Sequence, residues 1–254
     1  MPILPILPIW PTWPTDPILP ILPILPISPR DRERGSKMYA VLLPVVAVAV
    51  SGTLAIYGAE RHVGWLHAIA KPLATVLLLA VVGRPTTPFA TRVEIGIALS
   101  VLGDVALLWS GPRAFMVGLA VFLMAHLAYV LAFAGVAIWS PHVALVAVVA
   151  TTTTTLVLRA IWPGARGLHG PTVAYGVVIS AMVISASATV GGGGGGPFAH
   201  GALAAAGAGL FYVSDASLAL NRFRRPIPHI AFWTLGVYWL GQLGIALAAR
   251  GGWG

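Results

Sequence analysis

The sequence predicts an all-α fold, a polytopic membrane helix bundle of about eight transmembrane helices, and three observations carry that expectation. Of 254 residues, 58% are hydrophobic and 9% charged, with a mean hydropathy of +0.89, which leaves too little polar surface to cover a soluble globule. The apolar residues fall in runs of about 20, the length a helix needs to cross a bilayer in which every backbone group must bond within its own segment. Helix breakers separate the runs: Gly111-Pro112, Ser140-Pro141, Gly170-Pro171 and Arg225-Pro-Ile-Pro228. The chain has no cysteine, which removes disulfides, thiolate metal sites and cysteine nucleophiles together. Its net charge of +8 is scattered between apolar runs, a pattern of loop topology and anionic lipid and not of a nucleic-acid surface.

Residues 1–37 differ from everything after them. Pro-Ile-Leu repeats dominate, and proline at that density forbids a spanning helix and favours extended, disordered or interface-lying chain. Proline also interrupts any signal-peptide core. The mixed-charge run Arg30-Asp-Arg-Glu-Arg34 follows, and Met38 then opens a conventional hydrophobic segment and is the expected true start, which peptides from residues 1–37 in native protein would refute. The single transmembrane domain is expected over 38–250, with spans near 38–57, 65–82, 91–109, 114–136, 142–161, 171–190, 198–220 and 229–249. The glycines at 191–196 read as a flexible linker, since no strand precedes them and no Lys-Ser/Thr follows. Thr151 to Thr155 read as span residues bonded back to their own helix. Gly201, Ala205 and Gly209, four apart, read as a close-packing face. Trp65, Trp109, Trp139, Trp162 and Trp233 fall near span ends, where an aromatic belt places them.

Two acids stand where an acid is most costly, Asp104 and Asp215, each near the C-terminal end of an apolar run. An acid retained at such depth marks a functional site with a partner to be found. Helix alternation puts the ends of spans 3 and 7 on one side of the membrane, together with the starts of spans 2, 4 and 8. Asp104 and Asp215 then share one leaflet, with Lys71 near that face and His126, Tyr238 and Gln242 deeper, at about 1.5 Å of rise per residue. A close pair of carboxyl groups supplies an acid and a base. The bland alternative is a solvated pair, or a salt bridge to Lys71 or Arg222. Lys71 reads equally as a snorkelling lysine or as a headgroup contact. His126 and Tyr129 share a stripe with Phe122, and Tyr238 and Gln242 form a similar pair suited to gluing helices. The aspartate face carries Arg61, Arg113, Arg159, Arg166, Arg222, Arg224 and Arg225, and the other face Arg84, Arg92 and Arg250. With Met38 as start the count is seven against three, and the positive-inside rule makes the aspartate face cytoplasmic in a multi-pass cell-membrane protein. With residues 1–37 present, Arg30, Arg32, Arg34 and Lys37 join the other face and the count is seven against seven.

Several motifs in order, Lys71-Pro72, Ser100-x-x-Gly-Asp104-x-x-Leu-Leu108, Phe115-x-x-Gly118-x-x-x-Phe122-x-x-x-His126-x-x-Tyr129, Ser214-Asp215 with Arg222-Phe223, and Tyr238-x-x-x-Gln242, resemble the YhhN-like family, the lysoplasmalogenases. The likeness covers about residues 38–250. It implies a membrane hydrolase that cleaves the vinyl-ether bond of a lyso-ether phospholipid to a fatty aldehyde and a glycerophospho-base, with Asp104 and Asp215 as catalytic residues. Candidate substrate-binding residues are Lys71, His126, Tyr129, Arg222, Tyr238 and Gln242, with Lys71 and Arg222 for the phosphate. Acid/base hydrolysis of a vinyl ether requires no metal, so no cofactor is expected. Two other readings use the same residues: a metal-dependent lipid hydrolase built on His126 and the aspartates, and a transporter or channel in which the acids bind protons or cations.

Overall fold

The computed structural model describes residues 29–191 and 197–250. The Pro-Ile-Leu repeats and the glycines at 192–196, for which extended chain and a linker are expected, lie outside the described residues. The chain divides into two compact units, Met1–Lys37 and Met38–Gly254. Eight helices are present among the described residues: α1 (Pro29–Glu60), α2 (Gly64–Val82), α3 (Pro88–Ala106), α4 (Pro112–Ala134), α5 (Pro141–Ile161), α6 (His169–Ser187), α7 (Pro197–Phe223) and α8 (Ile230–Arg250). Helix α1 begins at Pro29, and the part of it apolar enough to span a membrane is Met38–Glu60, where the first span is expected. Proline is well suited to a first helical turn, and the Arg, Asp and Glu after it do not resist a helix.

Seven of the eight helices are long and apolar enough to cross a membrane, which makes this a multi-pass membrane protein. The exception is α3, which carries Arg92, Glu94 and Asp104. Packing accounts for two of those charges. The Arg92 guanidinium donates to the Leu131 carbonyl at the end of α4 (3.2 Å), and Asp104 meets Lys71 inside the bundle. Arg250 likewise donates to the Val81 carbonyl at the end of α2 (2.8 Å), so basic side chains satisfy carbonyls that a helix terminus leaves unpaired. The starts follow local chemistry too. The Thr87 side chain accepts from the Ala90 amide (3.2 Å), and Pro88, Pro112 and Pro141 occupy first positions that need no amide donor.

Helices α2, α3, α4, α6, α7 and α8 form a ring of neighbours, with α3 also touching α8, and α5 packs outside against α6 and α7. Large apolar side chains such as Leu131, Leu145 and Val148 point outward, as a lipid-facing surface requires. The interior runs on small residues. A Cβ on Gly96 would stand 2.3 Å from the Tyr129 ring, and one on Gly103 2.6 Å from the Phe122 ring. These two glycines thus open the seats that α3 offers to the aromatic stripe of α4. Helices α7 and α8 meet backbone to backbone, where a Cβ on Gly207 would lie 2.6 Å from the Gly241 carbonyl oxygen. The expected close-packing face on Gly201, Ala205 and Gly209 is therefore displaced. Gly201 packs on the Thr189 carbonyl, Gly209 has nothing near it, and the α8 contact runs through Gly207. The five expected belt tryptophans are all exposed at helix ends.

Candidate active site

A cavity of about 490 Å³ opens at the end of the bundle where α3, α5 and α7 finish and α2, α4, α6 and α8 begin. Asp104 and Asp215 both line it. Their surroundings differ. Asp104 is 2% exposed and is enclosed by donors: Lys71 Nζ at 3.3 Å from Oδ1, Thr75 Oγ1 at 2.6 Å from Oδ2 and Tyr238 Oη at 3.1 Å from Oδ2. Lys71 Nζ also reaches the Asp104 backbone oxygen at 3.4 Å. Each of these contacts treats the carboxyl group as an acceptor, the role of an ionised carboxylate.

Asp215 is more open, with 15% of its side chain exposed. Among the described residues its one hydrogen-bond donor is Tyr175, whose hydroxyl reaches Oδ2. His126 Nε2 stands 3.6 Å from the same oxygen, too far for a hydrogen bond. Among the described residues neither nitrogen of this fully buried ring has a hydrogen-bond partner. The ring is held edge-on by Phe211 and Tyr175, with centroids 4.7 and 5.2 Å away. Next to Asp215, the Ser214 hydroxyl donates to the Thr234 carbonyl (2.9 Å) and fixes the rotation of α7 against α8.

Of the eight residues singled out from the sequence, Lys71, Asp104, Asp215, Arg222 and Tyr238 lie on the cavity wall. His126, Tyr129 and Gln242 do not. They are fully buried off the wall, His126 beside Asp215 and Tyr129 and Gln242 behind Tyr238. A bonded chain runs from Tyr129 to Asp104: Tyr129 Oη donates to Gln242 Oε1 (2.6 Å), Gln242 Nε2 donates to Tyr238 Oη (3.3 Å), and Tyr238 donates to Asp104. Tyr129 and Gln242 are thus bonded in series to Tyr238 and do not line the cavity. Lys71 lies on the cavity wall and is paired with Asp104. It is 6% exposed, and its charge is engaged by Asp104, which realises the salt bridge expected as the bland alternative. Arg222 also lines the cavity and is exposed, its guanidinium 5.0 Å over the Phe115 ring.

Sequence reasoning missed Thr75, Trp239 and Tyr175. Thr75 lies four residues after Lys71 on the same face of α2, a spacing that could have found it. The Trp239 indole donates to its hydroxyl at 3.1 Å. Tyr175 sits alone in an apolar run with no motif about it. Among the described residues no group of three or more His, Asp or Glu side chains is arranged to hold a metal ion.

A family model described as the YhhN family matches residues 66–249. Lysoplasmalogenase TMEM86B of Homo sapiens is 32% identical over 193 residues, covering 75% of this chain and 78% of that protein. Lysoplasmalogenase TMEM86A of Bos taurus is 30% identical over 188 residues, covering 73% of this chain and 72% of that protein. No solved structure matches the chain.

Proposed function

Because the chain belongs to the YhhN family, we propose that it is a membrane-embedded hydrolase that cleaves the vinyl-ether bond of a lysoplasmalogen-type lysophospholipid. The observation that carries this reading is the pairing of two unlike carboxyl groups on one cavity: Asp104 saturated by donors, Asp215 bonded once and facing open space.

A vinyl ether hydrolyses when a proton is added to its β-carbon, which leaves an oxocarbenium ion at the carbon bearing oxygen. Asp215 holds the proton and gives it to that carbon. Asp104, fixed as a carboxylate by Lys71, Thr75 and Tyr238, faces the developing cation, and a preorganised charge of this kind stabilises the transition state without reorganising. Water then adds to the cation and loses a proton to the Asp215 carboxylate, which regenerates the acid. The resulting hemiacetal collapses to a fatty aldehyde, and its hydroxyl proton passes to the departing glycerol oxygen. One water is consumed and no electrons are exchanged. This is the division of labour that two carboxyl groups perform in glycosidases.

Arg222 at the rim is placed for a phosphate, with the planar fork that binds it in two bonds. The arginines at this end of the bundle, Arg61, Arg113, Arg159, Arg166, Arg222, Arg224 and Arg225, favour a cytoplasmic orientation for the cavity mouth. The test is to incubate purified protein with lyso-ether and lyso-ester lipids and to detect released aldehyde or fatty acid by mass spectrometry. Aldehyde formed by the wild type and lost in Asp104→Asn and Asp215→Asn supports the reading. Undiminished rates in both variants would refute the catalytic assignment.

A further inference from the structure

The cavity is more than the space between the aspartates. On one side it extends between α6 and α7 as far as α5, where Val157, Leu158 and Ile161 line it opposite Ile179 and Ala216. This part is mainly apolar, with Thr172 and Tyr175 on its α6 wall and hydroxyls at its deep end. There Thr154 and Tyr212 line it with their hydroxyls 2.8 Å apart, and Ser180 Oγ backs Thr154 Oγ1 at 2.7 Å, so α5 and α7 close the floor with α6 behind them. Helices α5 and α7 are pinned again at the membrane surface, where a Cβ on Gly164 would sit 1.8 Å from the Phe223 carbonyl oxygen, so that only glycine fits the seam. Between the two pins the side chains leave a pocket and not a packed interface.

We propose that this pocket receives the hydrocarbon chain of the lysolipid and that the Thr154–Tyr212 contact at its floor sets the length of chain accepted. The choice of chain over headgroup follows from the walls, which are mainly apolar and continuous with the space beside Asp215. The proposal takes its ligand class from the vinyl-ether reading, and its test also stands apart from it. From Ile161 to Thr154 the helix rises about 10 Å. A leaflet's hydrocarbon layer is about 15 Å deep. An ordinary membrane chain therefore reaches the floor before it is used up, and what meets it there is a hydroxyl cluster already internally bonded, which gains nothing by parting around methylenes. The Thr154–Tyr212–Ser180 cluster is unlike the neighbouring Thr151, Thr153 and Thr155, whose side chains face outward, Thr153 and Thr155 bonding back within α5.

Two measurements on the purified full-length protein in lipid nanodiscs test this. Binding of saturated alkyl-ether lysophospholipids, which have no vinyl-ether bond to cleave, is followed against chain length at constant headgroup, and kcat/KM is followed across the matching alkenyl series. In the wild type, affinity climbs with chain length to a break and then falls by roughly 10-fold or more per added methylene. Tyr212→Ala moves the break to longer chains. Val157→Phe, which fills the pocket from its wall, moves it to shorter ones and keeps the test decisive if Tyr212→Ala does not fold. A wild type without a break, or a break unmoved in the folded variants, overturns the proposal. Binding with the expected break but no aldehyde from any alkenyl lipid would sustain the pocket assignment and refute the vinyl-ether reading.

Discussion

Lys71 Nζ lies 3.3 Å from Asp104 Oδ1 with the two side chains 7% and 2% exposed, so the charge of each is compensated by the other inside the bundle. Removing one partner of a buried pair leaves the other uncompensated, which costs about 3–5 kcal/mol. Lys71→Met should therefore lower thermal stability in detergent and abolish activity. The double variant Lys71→Met/Asp104→Asn should regain much of the stability and none of the activity. A lysine serving mainly as a phosphate ligand would instead raise KM in Lys71→Met with little change in the unfolding temperature, so the two measurements together separate the roles.

Tyr175 is the one hydroxyl donor to Asp215 among the described residues. Hydrogen bonds to a charged group contribute about 1.5–3 kcal/mol, and this one strengthens as Asp215 releases its proton. Tyr175→Phe keeps the ring beside His126 and removes only the donor. We expect kcat and kcat/KM to fall together by roughly 10- to 100-fold with KM nearly constant, the pattern of an interaction made chiefly in the transition state. Steady-state kinetics on an alkenyl lysophospholipid would decide it.

The unequal treatment of the two aspartates shows where sequence stops being informative. Helix number and order follow from apolar runs and breakers, because in a bilayer the backbone must satisfy itself and the helix is the simplest way to do so. That both acids reach one end of the bundle follows from alternation alone. What alternation cannot give is rotation about each helix axis. His126, Tyr129 and Gln242 lie on the helices expected to carry them, yet they are fully buried and do not line the cavity. Tyr175 was illegible for the same reason: one tyrosine in an apolar run carries no periodic signal. The Thr151–Thr155 run read as bland span residues, and only the neighbouring Ser180 and Tyr212 single out Thr154.

Arg222 stands over the Phe115 ring at the cavity mouth. Arg222→Gln keeps hydrogen-bonding capacity and removes the charge. If the rim takes the phosphate, this variant should raise KM by roughly 10-fold, equivalent to about 1.4 kcal/mol, and leave kcat near wild type, because a headgroup contact is present in ground and transition states alike. Wild-type KM should rise with added salt, since an exposed pair is screened, and that salt dependence should flatten in Arg222→Gln. An unchanged salt profile would place the phosphate elsewhere.

The backbone contact of Gly207 with Gly241 governs the whole geometry, because α7 carries Asp215 and α8 carries Tyr238, the donor to Asp104. A methyl group at either glycine would fall on the opposite backbone, at 2.6 Å from the Gly241 oxygen or 2.8 Å from the Gly207 oxygen. Backbone cannot rotate out of the way as a side chain can, so α7 and α8 must separate. Overpacking of this kind costs about 1–3 kcal/mol. Gly207→Ala should thus lower the unfolding temperature, and it should also reduce kcat though it lies outside the cavity, by moving Asp215 on α7 away from Tyr238 and Asp104. Gly209→Ala, two residues along on a face with nothing within 4 Å of its Cβ, is the matched control and should leave both stability and rate near wild type. Equal loss in the two variants would mean that general helix effects, and not the α7–α8 contact, set the distance between the acid and its partner.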